Sequence, residues 1–179
     1  MQRSAATTVV ICFLATAFAV AWMTGGRRAS GSFAKENRDD GEIVYLGSSG
    51  VIFQNKSNNC GVAALRMVLD HYCITVPRKI MEWDARLGSK GASMLDLKEM
   101  AADAGLNAEG WKLRFEDLSR IQLPAILFVR GHHFVVADSV DGCGFLFVRD
   151  PSAGRLKIPQ SKAGDIWEGE ALIVALRNR

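Results

Sequence analysis

Gln54-Asn55-Lys56-Ser57-Asn58-Asn59-Cys60-Gly61-Val62-Ala63-Ala64 is the stretch from which the rest of the chain can be read. A polar loop ends at a cysteine, and from that cysteine the pattern turns helical. Val62, Leu65, Leu69 and Tyr72, with Met67 and Val68 beside them, form one apolar stripe at the three-and-four spacing of an amphipathic helix. The stripe is core, which leaves Cys60 at the mouth of the helix. A thiol reacts as its thiolate, and unpaired N–H groups at a helix N-terminus favour that anion. Gly61 is expected to leave room beside the sulfur for a substrate backbone. Gln54 stands six positions upstream. Its amide can return to the same pocket and, with the Cys60 backbone N–H, form an oxyanion hole that donates without titrating.

A thiolate needs an acid–base partner, and the chain offers His71, His132 and His133. His71 lies on the helix begun by Cys60, roughly 16 Å along its axis, out of reach. His132 and His133 stand at the start of an expected strand, where neighbours point to opposite faces, so one of them enters the cleft. Periodicity does not choose between them. Asp150 ends the following strand, and Pro151 holds it extended. Two neighbouring antiparallel strands can thus bring a histidine and an orienting carboxylate to one place, as a Cys–His–Asp nucleophilic site requires. A lone cysteine at a helix start is ordinarily structural. The partners at Gln54, His132 or His133, and Asp150 are what turn the reading toward catalysis. No Cys or His pair has zinc-ligand spacing except the adjacent His132 and His133, which diverge on a strand, so no metal or other cofactor is expected.

Outward from this centre the organisation is α+β. Ser93, followed three positions later by Asp96, signals the cap of a second helix running through Leu97 and Met100 to near Gly105. The second half reads as strands at 108–115, 125–129, 133–139, 145–149, 156–158 and 171–176, with Asp141-Gly142 as a tight turn. Residues 161–167 suggest a short helical turn. Helices first and antiparallel strands afterwards imply a helical half packed on a sheet.

The 179 residues leave room for one domain, at 42–179, after a segment at 1–24 and a linker at 25–41. Arg3 precedes an uncharged, mostly apolar stretch from Ala5 to Met23, with small residues at Ala17, Ala19 and Ala21. That fits either a cleaved export signal or an uncleaved membrane anchor, which places the domain in a bacterial periplasm or on the inner membrane facing it. Arg27, Arg28, Lys35 and Arg38 after the stretch pull the other way, since positive residues favour the cytoplasmic side. A net charge of +3 with no basic stripe gives no case for nucleic acid. Of the four cysteines Cys12 lies in the first segment, which leaves an odd number, Cys60, Cys73 and Cys143, in the domain. Cys73 and Cys143 either pair or are buried small hydrophobes.

Taken together, the block around Gln54 and Cys60-Gly61-Val62-Ala63-Ala64, then His133-Phe134-Val135-Val136, then Asp150-Pro151, closely resembles the bacteriocin-processing peptidases. These are papain-like domains fused to peptide-exporting ABC transporters, and their standalone relatives. The resemblance spans roughly Ile52 to Val174. It implies a papain-like cysteine peptidase fold, Cys60 as nucleophile, His133 rather than His132 as base, Asp150 as its orienting residue and Gln54 as oxyanion donor. It further implies a peptide or protein substrate whose leader ends in small residues, cut after Gly-Gly. With no transporter in this chain, export would be coupled through a separate machinery. The family usually has an acidic residue where this chain has Asn59. The rival readings are a leader-binding module without turnover and a thiol acyltransferase using the same three residues.

Overall fold

Along the chain, a two-residue strand β1 (Val44–Tyr45) is followed by three helices. These are α1 (Cys60–His71), α2 (Arg78–Arg86) and α3 (Met94–Asp103). Strands β2 (Leu106–Lys112), β3 (Ala125–Val129), β4 (His133–Val140), β5 (Phe145–Asp150) and β6 (Gly154–Pro159) come next, then α4 (Gln160–Ile166) and β7 (Glu170–Leu176). This computed structural model describes residues 41–177, so the expected segment at 1–24, and all of the linker but Gly41, lie outside the described residues. Among the described residues no helix is long and apolar enough to cross a membrane.

The strands form one antiparallel sheet in the order β1-β6-β5-β4-β3-β7-β2. β3, Phe134 to Ala137 of β4 and Ala171 to Val174 of β7 are continuous apolar runs because both of their faces are covered. Ile126, Phe134, Val136, Leu172 and Val174 face the core built by α1 and α3. Leu127, Val129, Val135, Ala137 and Ala171 face a second core with Ala163 of α4, Trp167 and Leu118. Trp167 is therefore core, with its Nε1 donating to the Glu170 carbonyl at 2.8 Å. The α+β expectation holds, with helical cover on both faces of the sheet rather than one.

Local chemistry explains two of the element ends. Ser93 and Asp96 form the expected reciprocal capping box at the start of α3. Asp141 Oδ1 accepts the N–H groups of Cys143 and Phe145, which closes the β4–β5 hairpin. Two expectations need correction. The strand anticipated at 108–115 spans Leu106–Lys112, and Phe115–Ser119 is a 3₁₀ turn whose Leu118 is buried. Helix α2 was not anticipated, although Ile80, Trp83 and Leu87 keep helical spacing behind Pro77.

Cys73 and Cys143 are both free and both exposed. Neither the disulfide nor the buried-hydrophobe reading of them holds. Each sits on a turn, past the end of α1 or in the β4–β5 hairpin, outside both cores.

Candidate active site

Cys60 is the first residue of α1, 8% exposed, and opens onto a groove of about 730 Å³ that also touches Met94, Phe128, His132 and Phe134. Asn59, at the N-cap, makes no side-chain cap bond, and the first turn carries no acidic side chain. Of the N–H groups that this leaves uncapped, that of Gly61 bonds the sulfur. Burial pushes the Cys60 thiol up. Hydrogen bonding to His133, the backbone N–H groups of Phe134 and Gly61, and the charge of His133 outweigh it and hold the thiol below its ordinary value.

His133 bridges the site. Burial would lower its pKa, but hydrogen bonds to Asp150 and Cys60 raise it to about 9. Its Nε2 donates to Asp150 Oδ1 at 2.8 Å, which leaves Nδ1 for the Cys60 sulfur. Asp150 is nearly buried. Burial raises its pKa, and the bonds from His133 and from the hydroxyl and backbone N–H of Ser152 bring it down to about 2. Both Ser152 bonds are 2.7 Å long and end on the same Oδ1. Ser152 was missed in the sequence, though Asp-Pro-Ser is a recognisable Asx-turn pattern. The lowered thiol and the raised imidazole are the two shifts that favour a thiolate–imidazolium pair, with the carboxylate steadying the imidazolium.

The sheet register selects the histidine. In the outer half of the β4–β5 ladder Ser139 pairs Phe147 and Val140 pairs Leu146. Continued inward, that register would set Asp150 opposite Val136, on the face of Phe134 and of the residues that alternate with it. A bulge between Ala137 and Ser139 shifts the pairing so that Val136 meets Arg149. Asp150 then falls beside Val135 and on the face of His133. Asp138, the bulge residue, accepts three bonds from Nε and Nη2 of Arg149 at 2.8–3.0 Å. Arg149 Nη1 also reaches the carbonyls of Gly50 and, at 3.4 Å, Met67 of α1. His132 is not on the strand. It ends the β3–β4 turn, is exposed, and its Nδ1 lies 2.7 Å from the Arg130 carbonyl. His71 is exposed at the end of α1 and packs edge-on against Tyr72.

Gln54 is half-buried. Its backbone N–H donates to the Pro151 carbonyl at 2.9 Å, tying the loop before Cys60 to the turn after Asp150. Its Nε2 donates to the Lys56 carbonyl at 3.1 Å, while Oε1 is buried without a partner. Gly61 plays a different part from the one expected. It is buried, and a Cβ there would stand 3.1 Å from the Phe134 ring and 3.2 Å from Leu97. Its missing side chain lets α1 pack closely on β4 and α3 rather than opening the site to a substrate.

The sequence pattern of the Peptidase C39 family matches residues 48–179. The chain belongs to the peptidase C39 family. A solved double glycine motif protease from an AMS/PCAT transporter, in complex with its leader peptide, is 27% identical at a TM-score of 0.64. It covers 76% of this chain and 94% of that one. The Probable microcin-H47 secretion/processing ATP-binding protein MchF of Escherichia coli is 27% identical over 124 residues, which are 69% of this chain but 18% of that protein. The Probable functional amyloid protease FapD of Pseudomonas aeruginosa is 26% identical over 130 residues, 66% of this chain and 57% of its own length. The chain thus spans a small part of the transporter relative and just over half of the amyloid protease. The papain-like α+β fold read from the sequence agrees with that solved peptidase structure.

Proposed function

We propose that this C39 domain is a cysteine endopeptidase that removes leader peptides after Gly-Gly. The observation that carries the reading is His133, whose two ring nitrogens join the Cys60 sulfur to the Asp150 carboxylate. In the proposed reaction the thiolate attacks the scissile carbonyl carbon. The resulting oxyanion takes hydrogen bonds from the Cys60 backbone N–H and the Gln54 amide. Imidazolium His133 then gives its proton to the leaving amine as the C–N bond breaks, leaving a thioester. A water molecule, deprotonated by the now neutral His133, attacks the thioester, and the thiolate departs. Small residues beside the scissile bond let the peptide backbone lie close to the start of α1.

The substrate assignment draws on the leader-bound double glycine protease and the microcin-processing relative. A separate export partner is part of the same proposal. So is a periplasmic or periplasm-facing site, which rests on the apolar stretch from Ala5 to Met23. The test is to incubate purified protein, under reducing conditions, with a synthetic leader ending in Gly-Gly. Cleavage after the second glycine, lost in Cys60→Ala, is the expected result. An intact peptide with wild-type protein sinks the proposal. Full biological effect retained by Cys60→Ala would indicate a leader-binding module instead, and capture of the acyl group by an added amine would indicate a transferase.

A further inference from the structure

We infer that Asp84, on α2, is a positioning residue that orients the Gln54 amide through Asn59 and Lys56. The inference rests on the reading of Gln54 as oxyanion donor. It begins at Asn59, which is 5% exposed and uses its whole amide. Nδ2 donates to Asn55 Oδ1 at 2.7 Å and to Asp84 Oδ1 at 3.1 Å, and Oδ1 accepts the Lys56 backbone N–H at 3.2 Å. Lys56 is held at its other polar groups as well. Its Nζ donates to the Asp84 carbonyl at 3.1 Å and to Oδ2 at 3.4 Å, and its own carbonyl receives Gln54 Nε2 at 3.1 Å.

The consequence is geometric. The two hydrogens of a primary amide lie in one plane at a fixed angle. Once one of them is committed to the Lys56 carbonyl, the direction of the other is set. Turning the amide over would point Oε1 at the Lys56 carbonyl, two acceptors facing each other. That contact holds the amide as it is, even though Oε1 is buried without a donor. The Lys56 carbonyl is therefore the stop that aims Gln54, and Asn59 with Asp84 holds the stop in place.

The same loop is seated from a second direction. Asn58 Nδ2 donates to the Gly88 carbonyl at 2.8 Å. Gly91, at φ +73°, lies so close that a Cβ would stand 2.4 Å from the Asn58 carbonyl oxygen. The segment from α2 to α3 thus forms the outer wall of the loop. The amide at position 59 is also required chemically, because a carboxylate there would meet the Asp84 carboxylate with no hydrogen between them.

The experiment compares wild type, Gln54→Ala, Asp84→Ala, Asp84→Asn and the double variant Gln54→Ala/Asp84→Ala on a Gly-Gly leader peptide. Alkylation of Cys60 against pH serves as a control on the thiolate–imidazolium pair. Gln54→Ala should lower kcat by about 10²- to 10³-fold. Asp84→Ala should lower kcat by roughly 10²-fold or less, with KM and the alkylation profile unchanged. The double variant should be no worse than Gln54→Ala alone. Asp84→Asn keeps an acceptor for Asn59 and should recover most of the loss, since the half-exposed Lys56 ion pair contributes little.

Additive losses, an unchanged kcat in Asp84→Ala, or an altered alkylation profile overturn the relay. A kcat unaffected by Gln54→Ala overturns the oxyanion reading and the relay with it. A measurement without substrate separates these failures from a failure of the proposed activity. Hydrogen exchange of the Gln54 side-chain amide, followed by NMR, should be faster in Asp84→Ala than in wild type. Equal exchange overturns the relay whether or not any peptide is cleaved.

Discussion

Cys60, His133 and Asp150 sit where burial opposes their charged forms, and the charged form of each is favoured by its neighbour. The order of dependence runs inward from Asp150, whose Oδ1 collects three donors before His133 reaches Cys60. Asp150→Asn removes the negative charge and leaves only a weaker, uncharged acceptor in place of the carboxylate that raises His133 to about 9. The imidazolium should then lose its proton at lower pH. The alkaline limb of kcat/KM, near pH 9 in wild type, is expected to move toward neutrality, with the plateau reduced on the order of 10²-fold or more. A pH–rate profile reads both effects, and an unmoved alkaline limb would show that Asp150 does not set the charge of His133. At this scale the sequence was informative about residue types. It carried an Asx-turn signal for Ser152 but could not reveal Asp84, whose part depends on which polar groups it meets after folding.

Among the elements, the β4–β5 hairpin decides how the site is assembled. Its bulge sets the face that Asp150 shares, and the Asp138–Arg149 pair fastens the bulge to α1 and to the loop at Gly50. The partners differ in exposure, with the Arg149 side chain 10% and the Asp138 side chain 23% exposed. Removing Asp138 leaves a guanidinium buried with only carbonyl partners, whereas removing Arg149 leaves a carboxylate that water can reach. Asp138→Ala should therefore cost about 3 kcal/mol or more, and Arg149→Met clearly less. Urea denaturation of the two variants gives the comparison, and equal losses would refute the asymmetry. Helix α2 is the element that sequence periodicity should have found. Ile80, Trp83 and Leu87 carry its apolar spacing, but only Ile80 is buried, so the stripe is short and weak.

For the molecule as a whole, the site links stability to pH. Asp150, held at about 2, contributes stability that is fully present above its unfolded value of roughly 3.9 and is lost as pH falls through about 2. His133, raised to about 9, contributes stability that is fully present below roughly 6.5 and is lost as pH rises through about 9. Both contributions are present together between about pH 4 and 6.5. Chemical denaturation across pH should place this part of the stability maximum there. Asp150→Asn should flatten the curve at both ends, and an unchanged pH dependence in that variant would contradict the assignment.

The sequence by itself determined the α+β order of elements, the helix that opens at Cys60, the capping box at Ser93 and the strand that ends at Asp150. Those features follow from periodicity and from side chains a few residues apart, which act before any distant segment arrives. Through its resemblance to a family it also singled out His133. Only the tertiary structure supplied a physical reason for that choice, because a one-residue bulge moves Asp150 from one face of the sheet to the other. Tertiary packing likewise turned Gly61 from a presumed opening into a close contact with Phe134 and Leu97. It also brought Asp84 to Asn59 across 25 residues of chain. Register and long-range approach are set by the balance of many distant contacts, and no local pattern in the chain records that balance.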